Sequence, residues 1–303
     1  MTATRFATLL AVLLVAPALP GIATRTKSLL TGRRGAPVLQ LYADLAKLLR
    51  KGVVYSRTTT LVFRAAPVVL AASVLVAALL LPLDGRTPLI GFTGDLVAFA
   101  GLLGLGRFAL VLAGLDTGSS FEGMGTSREV TVAAFVEPAL LLSLTVLVLA
   151  TGSLSLGGML GAPLAGAWPT AAPSLVLAGA SLFMVLLAEN ARVPIDDPAT
   201  HLELTMIHEV MVLDHSGPDL ALILYAGAVK FALFAALVVS VLLPLALFDP
   251  WVAGALLLAG LAGIGVLVGT VEAAMARLRM DRIPQFLVAA SALAGFGVIL
   301  MLR

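Results

Sequence analysis

Eight separate apolar runs, each of roughly the 20 residues a helix needs to cross the hydrocarbon core, restrict this chain to a polytopic membrane fold. They cover residues 6–22, 61–82, 96–115, 130–150, 174–188, 220–248, 252–271 and 283–302. Composition agrees: 60% of the 303 residues are hydrophobic, 12% are charged, and mean hydropathy is +1.08, far from the balance of a soluble domain. The expected fold class is all-α, a single integral membrane domain over residues 1–303 with about eight transmembrane helices. Neither a soluble domain nor a clear internal repeat is visible. Residues 6–22 have the length of a signal-peptide core. Only Arg5 precedes them, however, and strong positive charge follows, so they read as the first span.

Charge placement sets the orientation. Segment 23–60 carries Arg25, Lys27, Arg33, Arg34, Lys47, Arg50, Lys51 and Arg57 against Asp44 alone. The segments 116–129, 189–219 and 272–282 hold one, one and three Lys/Arg, while the opposite side holds Arg5, Arg86 and Arg303. Positive residues stay on the cytoplasmic side. These four segments are therefore expected to be cytoplasmic loops, and both termini to face outward from the cell inner (plasma) membrane. The pI near 9.2 thus reflects topology and not nucleic-acid binding. Within residues 38–51, Val38, Leu39, Leu41, Tyr42, Leu45, Leu48 and Leu49 share one helical face, and Gln40, Asp44, Lys47, Arg50 and Lys51 share the other. That pattern predicts a cytoplasmic interfacial amphipathic helix. Such a helix either anchors on the bilayer surface or also docks a partner, for which Arg33, Arg34, Lys47 and Arg50 are the candidates.

The chain has no cysteine, so it cannot hold an iron–sulfur cluster through thiolates or form a disulfide. Any redox centre belongs to partner subunits. Walker A loops, dinucleotide fingerprints and nucleophile–base pairs are absent, and no catalytic residue is assigned. What remains distinctive is charge inside the spans, which is costly and needs partners. Arg107 lies in the third span, Glu137 in the fourth beside Pro138, Glu189 closes the fifth, and Lys230 lies near the middle of the sixth. With Glu203 these form either a buried proton-handling chain or static ion pairs that fix helix registry.

Segment 189–219 concentrates polarity: all three histidines, seven of the 17 acidic residues and a single base, Arg192. Thr200-x-x-Glu203 has capping-box spacing, which predicts a helix over 201–213. Leu202, Leu204, Met206, Ile207, Val210, Met211 and Leu213 fill one arc of that helix, and His201, Thr205, His208 and Glu209 the other. Glu203 falls within the apolar arc, as a reciprocal cap, as a buried acid with a raised pKa, or as both. His201, His208 and His215 recur every seven residues, about 10 Å apart along a helix axis. That is too far to share one ion, so no metal site is assigned and docking or packing roles are expected.

Three blocks carry a resemblance: R-R-G-A-P…L-Y-A-D-L-A-K-L-L-R-K (33–51), F-E-G-M-G-T-S-R-E-V…E-P (121–138) and A-E-N-A-R-V-P-I-D-D-P-A-T-H-L-E-L-T-M-I-H-E (188–209). The chain resembles the membrane subunit of energy-converting nickel–iron hydrogenases, the formate hydrogenlyase subunit 4 and hydrogenase-4 component C family, homologous to respiratory complex I subunit 1. The resemblance spans the whole chain. It departs at Asp214-His215-Ser216, where many relatives have Glu-Tyr-Ser.

The resemblance implies a non-catalytic subunit that anchors a peripheral redox arm and links its electron transfer to proton or sodium translocation. It places Glu137, Glu189, Asp196, Asp197, Glu203 and Glu209 at the family's acidic positions and Arg192 at its loop arginine. The implied partners are hydrogenase large and small subunits, a ferredoxin-like iron–sulfur subunit and antiporter-like membrane subunits. The nickel–iron centre and iron–sulfur clusters would sit in those partners, with no cofactor in this chain. Two other readings stay open: a quinone-site subunit of a complex I-like NADH dehydrogenase, and a stand-alone ion transporter.

Overall fold

The computed structural model describes residues 2–196 and 206–303, and among them the only regular elements are helices. In chain order these are α1 (Thr2–Val15), α2 (Ala18–Leu30), α3 (Gln40–Leu49), α4 (Leu61–Leu80), α5 (Asp95–Asp116), α6 (Ser120–Thr151), α7 (Leu156–Met159), α8 (Ala162–Glu189), α9 (His208–Met211), α10 (Gly217–Leu242), α11 (Pro250–Ala274) and α12 (Ile283–Met301). Seven of the described helices are long and apolar enough to cross a bilayer, and α1 with α2, bent by 47°, passes the same test only as a pair, as a broken span or a re-entrant loop. Seven to eight spans agree with the expected fold class, and the chain is a multi-pass membrane protein.

The bend has a local cause. Pro17 sits between α1 and α2 and has no N–H, so the carbonyl of Leu13 loses its helical donor. Tyr225 of α10 donates its hydroxyl to that oxygen at 3.3 Å, and Tyr42 of α3 donates to the next one, Leu14. Broken backbone inside a membrane survives only where protein groups re-satisfy it. Here two tyrosines do so, tying the bend to α3 and to the central helix.

That central helix is α10, buried along most of its length. Phe231, Leu233, Phe234 and Leu237 form a cluster with Leu182 and Leu186 of α8, Leu70 and Val74 of α4, and Leu257 and Leu261 of α11. α3 has no fully buried residue and lies against α10 and α2. Its amphipathic face is partly realised: Leu41, Tyr42, Leu45 and Leu48 are half-buried, whereas Leu39 and Leu49 are exposed.

Helix extends into several of the segments between the expected spans. Segment 116–129 is helical from Ser120, because Glu122, Gly125 and Thr126 are buried by tertiary packing that overrides their weak local preference. The uncharged stretch 152–172 holds α7 and the first turns of α8, with Pro163 in the first turn of α8 and Pro169 and Pro173 inside it. Segment 23–60 is helical to Leu30 and again through α3, while 272–282 begins inside α11. In segment 189–219, α10 starts at Gly217. The helix expected over 201–213 is reduced, within the described residues, to the single turn α9, and Leu213 of its apolar arc is exposed. The Ile207 N–H instead donates to Asp196 Oδ2 at 2.9 Å, holding that backbone in a non-helical course. His201, Asp197 and Glu203 lie outside the described residues.

Candidate functional site

The site is assembled where α5, α6, α8 and α10 meet. Glu189, the last residue of α8, is 8% exposed and accepts from two cations. Arg107 of α5 donates to its Oε1, and Lys230 of α10 donates to Oε2 at 3.3 Å. The Arg107 guanidinium also reaches Glu137 Oε1 at 2.9 Å and lies 3.8 Å from Glu129 Oε1, both on α6. Glu137, Arg107, Glu189 and Lys230 therefore form one unbroken line of ion pairs. A carboxylate this deep is tolerable only when paired and hydrogen-bonded, and two cations satisfy that condition.

The line is buried at one end and exposed at the other. The Glu137 side chain is 58% exposed, against 10% for Arg107 and 3% for Glu189. Glu137 faces out of α6, so the line runs from the interior to the lateral surface of the bundle. A second group of charges borders it. Arg192 pairs with Glu272 of α11 at 3.4 Å and lies over the Phe231 ring, and Asp196 pairs with Arg277 at 3.1 Å. Sequence reasoning missed Glu129, Glu272 and Arg277, because each falls in a segment read as loop. Continuing the fourth span back to Ser120 would have put Glu129 two turns from Glu137 on the same helix.

A cavity of about 210 Å3 joins these groups. Glu189, Arg192, Asp196, His208, Glu209 and Lys230 supply its polar wall, and Leu41 of α3, Ile223 and Phe231 its apolar wall. A smaller space of about 20 Å3 lies beyond it, lined by Arg107, Glu129, His208 and Lys230 among apolar side chains. The partner-docking candidates Arg33, Arg34, Lys47 and Arg50 do not enter either cavity and are all exposed, before and along α3.

The two other blocks noted in the sequence meet each other. The Asp214 N–H donates to buried Glu122 at 3.1 Å, and Arg128 donates to the Met206 carbonyl at 3.0 Å. Gly125 faces the turn so closely that an added Cβ would sit 3.0 Å from the Ile207 carbonyl oxygen. The start of α6 is thus the platform that holds α9 against the cavities. His215 does not join His208. It stacks on Phe63 at 3.9 Å with an interplanar angle of 7°, and burial lowers its pKa from the ordinary histidine value.

The helical membrane bundle, its partly buried acid–base line and the amphipathic α3 define a class of protein, and the sequence matches a known family over its length. The family described as NADH dehydrogenase matches residues 4–302, and the chain belongs to it. Among individual relatives, formate hydrogenlyase subunit 4 of Escherichia coli K12 is 33% identical over 290 residues, covering 93% of this chain and 91% of the relative. Hydrogenase-4 component C of the same organism is 36% identical over 235 residues, 77% and 72% of the two chains. A chain of the membrane-bound sulfane sulfur reductase, an archaeal respiratory membrane complex, shares the fold with a TM-score of 0.84 at 18% identity over 99% of both chains.

Proposed function

We propose that this chain is the membrane-anchoring and coupling subunit of a membrane-bound nickel–iron hydrogenase complex of the formate hydrogenlyase type. In this reading it docks the peripheral redox arm on the exposed basic face around Arg33, Arg34, Lys47 and Arg50. It links electron transfer in that arm to proton or sodium movement in antiporter-like membrane partners. The nickel–iron centre and iron–sulfur clusters belong to the arm. The observation that carries the proposal is the line Glu137–Arg107–Glu189–Lys230, which leads from the cavity beside α3 to a carboxylate on the lateral surface of the bundle. A carboxylate exposed on a spanning helix fits a contact with another membrane subunit better than one with lipid.

Glu137→Gln tests this, since an exposed carboxylate can be neutralised without emptying the core. The complex is expected to assemble and to keep its hydrogenase rate with an artificial electron partner. Hydrogen-linked ion uptake into inverted vesicles should fall at least about tenfold, a difference of about 1.4 kcal/mol in barrier. Parental uptake by this variant, or a tagged chain that purifies without a hydrogenase large subunit, would reject the reading.

The same reading places the basic face in the cytoplasm, with both termini on the outer side of the cell membrane, supported by the asymmetry of Lys and Arg. A cysteine added at Arg303 should then react with an impermeant thiol reagent in intact cells. Protection there would invert the topology.

One observation favours a second reading, a quinone-site subunit of a complex I-like dehydrogenase. The 210 Å3 cavity has a largely apolar wall that includes Pro20 of α2 and Leu41 of α3, the form of a small-molecule site. Quinone-dependent NADH oxidation by the purified complex would support it, and hydrogen evolution insensitive to quinone analogues would oppose it.

A further inference from the structure

His208 is shared by the two cavities. It lines the larger one with Glu189, Asp196, Glu209 and Arg192, and the smaller one with Arg107 and Glu129. Lys230, Ile223 and Gly227 of α10 are shared in the same way, so α9 and α10 together form the partition. Of the groups in that partition, an imidazole alone can accept a proton on one edge and release one from the other at neutral pH. The smaller space, about 20 Å3, exceeds the roughly 10–15 Å3 of such volume that one water requires. A single water there would bridge the ring to the far wall.

We propose that His208 is the proton carrier between the two cavities, moving protons between the carboxylates of the larger one and Glu129 in the smaller one. The inference rests on the coupling role proposed above and assigns it a residue. The transfer balances within this chain. A protonated carboxyl of the larger cavity gives its proton to the unprotonated ring nitrogen and becomes a carboxylate. The imidazolium so formed loses the proton on its other nitrogen, through one water, to the Glu129 carboxylate. His208 is left neutral as the opposite tautomer, and a ring rotation restores the starting one.

The surroundings keep the resting ring able to accept. Burial lowers the His208 pKa, and Lys230 acts in the same direction, while Glu129, Asp196 and Glu189 act against it with less effect. The lowered pKa favours the neutral ring, the form that accepts a proton. Proton acceptance should fail only as pH falls through a value below the ordinary imidazole range near 6.5. The backbone supports the ring from α6, where Gly125 admits α9 and Arg128 holds the Met206 carbonyl. His215, stacked on Phe63, takes no part.

The test uses the intact complex in inverted vesicles, measuring hydrogen evolution and ion uptake from pH 5.5 to 8.5, in about half-unit steps. His208→Gln keeps hydrogen-bonding groups but cannot carry a proton. It should assemble, retain its hydrogenase rate with an artificial electron partner, and lose coupled uptake at least about tenfold. His208→Glu restores a titratable group and should recover part of that uptake with a displaced pH profile, a result that mere packing at this position would not produce. Parental uptake and an unchanged profile in His208→Gln, with uptake still lost in Glu137→Gln, would overturn the carrier and leave the coupling role standing. Parental uptake in both variants would overturn the coupling role as well. If His208→Gln does not assemble, the His208→Glu profile decides, and an undisplaced profile overturns the carrier.

Discussion

Glu189→Ala is expected to abolish assembly of the complex and to lower the stability of the chain more than any other single replacement of a charged residue. Among the described residues Glu189 is the one carboxylate that both Arg107 and Lys230 share, and it is almost wholly buried. Without it, two largely buried cations lose the carboxylate they share; among the described residues Arg107 keeps Glu129 and exposed Glu137, neither of which is within pairing distance of Lys230. Removing one partner from a buried ion pair costs about 3–5 kcal/mol, a large share of a total stability of about 5–15 kcal/mol.

The charge argument itself can be separated from loss of shape. The cluster holds Glu129, Glu137 and Glu189 against Arg107 and Lys230, a formal sum of −1. Glu189→Gln with Lys230→Met leaves two acids and one base, again −1. That double variant should recover assembly and thermal midpoint toward the parent while coupled ion uptake stays lost. A Glu189→Ala complex that melts with the parent would mean that the ion pairs contribute no stability.

The sequence showed where charge enters the membrane but not which way each charge points. Arg107, Glu189 and Lys230 were legible because an ionisable group within an apolar run needs a partner, and the structure makes them partners of one another. Glu137 was legible as a member of the set, yet not as its exposed end, because the fourth span has no one-sided apolar stripe from which a buried face could be read. Glu129 and Glu122 were hidden by F-E-G-M-G-T-S-R-E, whose glycines and polar residues read locally as loop. Only packing against α9 makes that stretch a helix. The interfacial helix was legible from its periodicity, since a helix lying at an interface keeps two chemically different faces. Glycines at helical spacing permit close packing without fixing where it occurs. In the third span Gly106 packs on Leu70 and Ser73, whereas Gly101 and Gly104 face open space. Small residues at helical spacing indicate that a close approach is permitted, and which of them is used depends on the neighbour's position.

The glycines of α11 turn that distinction into the second large prediction. Gly260, Gly263, Gly265 and Gly269 follow one another along α11, but they are not equivalent. An added Cβ at Gly269 would collide with the Ala23 carbonyl oxygen and come within 2.7 Å of Thr26 Cβ, both on α2, whereas at Gly263 it meets nothing within 4 Å. The obstacle at Gly269 is mostly backbone, which cannot rotate away as the end of a side chain can. Gly269→Leu should therefore push α11 from α2 and cost more than the usual 1–3 kcal/mol of an overpacked core. The displacement matters for the site, because α11 carries Glu272 less than one turn further on, and Glu272 pairs with Arg192 beside the larger cavity. Gly269→Leu is expected to reduce both the amount of folded chain in the membrane and the yield of assembled complex, with Gly269→Ala intermediate. Gly263→Leu adds the same side chain two turns earlier on the same helix, and should leave the yield and thermal midpoint near parental. Equal losses from the two leucine variants would show that the damage comes from leucine in α11 generally, and the close contact between α2 and α11 would have no special weight.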